Sequence, residues 1–153
     1  MTTTTVNGLD GLKALVGQDL GPSEWLEITQ ERVNTFADAT DDHQWIHVDV
    51  ERAKGGPFGG PIAHGYLTLS LVIPLFASLL KVEGVKMGVN YGLEKVRFPS
   101  PVKVGAKIRM HAKLISVEEV AGNGVQSTFD FTVEVDGSAK PACVARPVYR
   151  HYA

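Results

Sequence analysis

The chain has 153 residues, 44% hydrophobic and 21% charged, which fits one folded domain able to bury a core unaided and excludes a disordered or fibrous protein. With 15 Lys and Arg against 17 Asp and Glu, the formal net charge is -2, and no basic stripe offers itself to nucleic acid. Cys143 is the sole cysteine, which excludes an internal disulfide, a CxxC pair and a multi-Cys metal cluster, and suits a reducing cytoplasm.

The opening residues, MTTTTVNGLDGLKALVG, lack the basic start and apolar run of a signal peptide. Residues 1–8 are expected to be a flexible leader, followed by a short helix over Leu9 to Val16 and a brief strand over Trp25 to Ile28. Thr29 stands where an N-cap belongs, and Val33, Phe36, Ala37 and Thr40 recur at spacings of three and four, so a helix is predicted to end near Asp41. GGPFGGP, Gly55 to Pro61, is too rich in glycine and proline for helix or strand. HGYLTLSLVIPLFASLL, from His64, reads as a helix apolar almost all round and bent at Pro74, too short and too interrupted to span a membrane.

The period then changes to two. Ile108, Met110, Ala112 and Leu114 alternate with polar residues, as do Val125, Ser127, Phe129, Phe131, Val133 and Val135, and turn signals at AGNG and DGS join antiparallel neighbours. Helices first and an antiparallel sheet afterwards give an α+β domain over residues 1–153, with the apolar helix packed on the sheet.

The chemistry concentrates in ATDDHQWIHVD, Ala39 to Asp49. Asp42 and His47 are five apart, out of phase for one helical or strand face, so the turn between them decides whether they meet. If they do, a carboxylate and an imidazole beside one water form a general acid-base pair. If they do not, the acids cap a helix end and the histidines lie in solvent. His43 and His47 have the i, i+4 spacing of a metal pair, but the intervening Gln44-Trp45-Ile46 lacks the glutamate of the zinc-protease motif, so no metal is expected. His64-Gly65 opens the apolar helix, where an unpaired amide at Gly65 can meet an oxyanion; the same glycine can also serve packing alone.

FADATDDHQWIHVD followed by GGPIAHGYLTLSL resembles the hydratase motif of the MaoC-like (R)-specific enoyl-CoA hydratases and 3-hydroxyacyl-thioester dehydratases, with the NodN-like branch nearest. The usual members have Asn-Pro-Leu where this chain has Gln44-Trp45-Ile46. YGLEKVRFPSPVKVGAKI, Tyr91 to Ile108, is similar to the family's later strand pair. The resemblance implies a hotdog fold, a long central helix wrapped by an antiparallel sheet and dimerising edge to edge. It assigns Asp42 and His47 as the catalytic pair and the Gly65 amide as the oxyanion donor, with His64 beside it.

The activity implied is reversible hydration of a trans-2-enoyl thioester, on CoA or acyl-carrier protein, to the (R)-3-hydroxyacyl thioester, without a cofactor. Asn90 and Tyr91 are candidates for the acyl pocket, or for ordinary sheet positions, and Arg97 and Lys95 for a carrier's phosphates. A hotdog thioesterase and a non-catalytic acyl-thioester-binding subunit are the alternatives.

Overall fold

The computed structural model describes residues 2–153. In chain order the elements are β1 (Thr4–Asn7), α1 (Gly8–Lys13), β2 (Asp19–Leu20), β3 (Leu26–Glu27), α2 (Gln30–Thr40), α3 (Trp45–Val48), α4 (Val50–Lys54), α5 (Gly65–Ser70), α6 (Val72–Leu79), β4 (Leu80–Glu83), β5 (Met87–Arg97), β6 (Lys107–Val120), β7 (Gly124–Val135) and β8 (Cys143–Tyr152). The large sheet runs β2-β6-β7-β8-β5, with β3 also on β6, and its pairings are antiparallel.

Strict alternation makes β6 and β7 the floor of the core. Ile108, Met110 and Leu114 face inward from β6, Phe129, Phe131 and Val133 from β7, and all are essentially fully buried. Gly122 and Asn123 both adopt positive φ, as the tight β6-β7 hairpin requires. Leu67, Leu71, Leu75 and Leu79 of the central helical segment pack on this floor, and Phe76 meets Phe129, Phe131 and Tyr149 in an aromatic cluster.

Two expectations change. The central helix is two pieces that meet at Leu71, with Pro74 in the first turn of α6, where the N–H groups have no intrahelical partner in any case. Proline there helps start a second helix instead of bending one helix in its interior. The leader expected to fray through residue 8 is, from Thr4, a strand in parallel register with β4, and Leu12 of the following α1 is completely buried. Met1 lies outside the described residues. No helix among the described residues is long and apolar enough to cross a membrane.

Candidate active site

α2 begins at Thr29, whose Oγ1 accepts from the Arg32 amide at 3.1 Å, and ends at Asp41, which turns left-handed with φ 60°. That turn reverses the chain. Gln44 then caps α3, whose third residue is His47, so the five-residue spacing becomes proximity: one ligand-type atom each from Asp42, His47 and His64 lies within 4.8 Å of the others.

The imidazoles are set by main-chain carbonyls. His47 Nδ1 lies 2.7 Å from the Ile62 oxygen, and since a carbonyl only accepts, Nδ1 carries the proton and Nε2 keeps its lone pair. Ile62 itself is pinned, its amide donating to Ile46 O at 3.0 Å, and Ala63 N–H donates to Val102 O at 2.8 Å. On the other side, Gln30 Nε2 donates to the His47 carbonyl at 2.8 Å. His64 Nε2 likewise donates to the Asp42 backbone oxygen at 2.9 Å, and the two rings stack with centroids 3.9 Å apart and planes 22° from parallel.

Burial pushes the His47 pKa down from its ordinary 6.5. The Ile62 carbonyl pulls it back, His64 lowers it further and the Asp42 carboxylate raises it, with burial prevailing. The ring is therefore neutral at physiological pH, a lone-pair base beside an exposed carboxylate. The same three residues are ligand types for a metal, but with the two rings 3.9 Å apart and their planes only 22° from parallel, in-plane lone pairs of both imidazoles cannot meet at one ion at bonding distance. His43, the other histidine of the i, i+4 pair, turns away to Asp38 Oδ1 at 2.9 Å.

Gly65 follows His64 as the first residue of α5, and the first intrahelical bond of that helix runs from Thr68 N–H to His64 O, so the Gly65 amide has no partner within the turn. A Cβ at Gly65 would meet the Phe98 ring at 3.3 Å, which places an aromatic wall against this backbone. Asn90 and Tyr91 are not among the residues at the pair. They line a recess of about 280 Å³ with Leu69, Ser70, Ile73 and Tyr149, between the central helices and β5 and β8. Burial raises the Tyr149 phenol to about 12, so it stays protonated there. Tyr91 also stacks under Arg150, whose guanidinium carbon lies 3.7 Å from the ring centroid. Arg97 and Lys95 are exposed near the end of β5, and Arg97 Nη1 donates to the Val96 carbonyl at 2.7 Å. Sequence reasoning passed over Gln30, Ile62 and Phe98. The first two act through positions 15 to 17 residues from His47, and Phe98 gives no chemical signal at all.

The MaoC like domain model matches residues 12–135. The chain is 54% identical, over 97% of its length and 99% of the relative's, to 3-hydroxyacyl-thioester dehydratase Z of Mycobacterium tuberculosis (strain ATCC 25618 / H37Rv). It is 46% identical to nodulation protein N of Rhizobium leguminosarum bv. viciae over 85% of this chain and 82% of that one. The solved structure of the (R)-hydratase from A. caviae superposes with a TM-score of 0.71 at 24% identity, covering 88% of this chain and 94% of that one. That likeness and the antiparallel sheet wrapped on α5 and α6 make the fold a hotdog. By the domain match over most of its length and its identity to a dehydratase across nearly all of it, the chain belongs to the MaoC-like dehydratase family and is a hydro-lyase.

Proposed function

We propose that the protein catalyses reversible hydration of trans-2-enoyl thioesters to (R)-3-hydroxyacyl thioesters, with Asp42 and His47 handling the water. The observation that carries this reading is the 2.7 Å contact of His47 Nδ1 with the Ile62 carbonyl, which leaves Nε2 its lone pair in a ring that has a ligand-type atom within 4.8 Å of an Asp42 carboxylate oxygen. A water held by both groups is aligned and deprotonated as its oxygen adds to C3. One water proton passes to the pair and a proton returns from it to C2, so that the elements of water add across the double bond.

Electron density moves onto the thioester oxygen in that step. The Gly65 amide is the donor for it, and a donor of this kind is worth about 3 to 4 kcal/mol in the transition state. The recess at Asn90 and Tyr91 takes the acyl chain, and Arg97 meets the phosphates of the CoA or acyl-carrier-protein arm. The relative's name, a 3-hydroxyacyl-thioester dehydratase, supports the thioester class. The exposed apolar side chains of Met87, Val89, Tyr91 and Leu93 along edge strand β5, with Tyr66 and Ile73 on the central helices, support pairing with a second copy of the chain.

The test follows the loss of enoyl absorbance with crotonyl-CoA, with chiral analysis of the product. Asp42→Asn and His47→Gln are each expected to stay folded and lose hydration by orders of magnitude, and near-parental rates in both would end the proposal. Release of free thiol from a saturated acyl-CoA would point instead to the thioesterase chemistry.

A further inference from the structure

The hydration chemistry gives no task to His64, yet it is the most buried member of the cluster, with only 3% of its surface exposed. Its ring is enclosed by His47 on one side and by Phe36, 4.9 Å away and tilted by 56°. One nitrogen, Nε2, donates across 22 residues to the Asp42 backbone oxygen. The other, Nδ1, is buried with no hydrogen-bond partner among the described residues. A buried unpaired polar atom costs about 1 to 3 kcal/mol, so an aliphatic side chain in this enclosure would be the more stable choice. What an aliphatic residue lacks is the Nε2–H.

Asp42 needs that bond. It follows a residue in the left-handed region, and the contact from the Gln44 amide to its Oδ1 is local and long at 3.4 Å. The bond from His64 ties this exposed turn to the buried start of α5. The same ring lies flat on His47 and fixes the plane in which the His47 lone pair points.

We propose that His64 is a positioning residue: a single imidazole that sets Asp42 through its carbonyl and His47 through its ring plane. This rests on the hydration reading above. It assigns His64 to the acid-base pair, and not to the thioester oxygen or the substrate.

Gln and Asn at position 64 separate the idea from simple packing. A glutamine amide nitrogen falls near the place of Nε2 and can still reach Asp42 O; an asparagine nitrogen falls near Nδ1 and cannot. His64→Gln keeps the bond to Asp42 O but loses the ring against His47, and is expected to retain about tenfold more kcat for crotonyl-CoA than His64→Asn. His64→Asn should lose kcat by about 10²-fold with KM little changed, the loss that follows a catalytic group displaced by roughly 1 Å. Equal kcat in the two variants, high or low, overturns the proposal, as does a loss in His64→Asn confined to KM.

Imidazole nitrogen NMR on the labelled parent protein needs no variant. It should find His64 as the Nε2–H tautomer and His47 as Nδ1–H, and the opposite tautomer at His64 overturns the proposal. Asp42→Asn and His47→Gln, assayed alongside, distinguish the failures: normal rates in both remove the hydration reading and this inference with it, whereas two dead variants beside indifferent His64 variants remove this inference alone.

Discussion

Asp42 and His47 meet because of Asp41. Its left-handed turn and the short helix from Trp45 fold a spacing of five, wrong for any regular element, into a site. Sequence periodicity is silent about such a turn, which is why the pair was legible only through its resemblance to a motif. Trp45 becomes intelligible at the same scale. It occupies the first position of α3, where a proline's preset φ also fits, and its ring lies under the glycine loop with the Arg52 guanidinium carbon 4.4 Å from its centroid. A Cβ on Gly56 would come within 2.9 Å of that ring. Gly56→Ala should therefore cost about 1 to 3 kcal/mol in denaturant unfolding, the range for overpacking, whereas Gly60→Ala, with open space around it, should cost much less. The His47 ring makes a pH prediction. Because its folded pKa lies below 6.5, hydration should hold level through neutrality and fall only as the pH drops below that value, when His47 takes up a proton and loses its lone pair. An acid limb centred above pH 6.5 would contradict the assignment of His47 as the base.

Regular elements were the easier part of the reading. Thr29 is identifiable as a cap, and the two-residue alternation of β6 and β7 is enough to place Met110, Leu114, Phe129 and Phe131 in the core. Two things escaped. β1 was hidden because its partner, β4, lies 76 residues on and pairs in parallel, while its own Thr-rich sequence has no apolar stripe. The break at Leu71 escaped because an interior proline and one starting a new helix look alike in sequence. These differ in energy. Pro74→Ala should change stability little, well short of the gain of about 3 kcal/mol expected on relieving an interior proline, as thermal melts can check. Thr29→Ala, by contrast, should cost about 1 kcal/mol. Because Gln30 follows the cap and holds the His47 carbonyl, the same substitution should lower the hydration rate as well.

For the molecule as a whole, the large sheet ends in β5, an edge strand that leaves apolar side chains in water. A lysine there should be tolerated by the fold and refused by a second copy. On the proposed pairing along β5, Leu93→Lys is expected to lower the mass read by light scattering from two chains to one, with little change in far-UV circular dichroism. Stability should also follow pH through His47, which is buried, and His151, which is half-buried. Burial lowers the pKa of His151 as it does that of His47, so the unfolded chain binds protons first, near its ordinary 6.5. The melting temperature should be level above that pH and decline below it, down to the folded pKa values. Finally, the two imidazoles of the site are both held by backbone oxygens, those of Ile62 and Asp42. A peptide carbonyl is the same whatever side chain it carries, so position 62 is answerable to the site for its backbone and to the core for its size. In a saturation library selected for hydration, position 62 should accept Val or Leu freely, while positions 47 and 64 stay narrow.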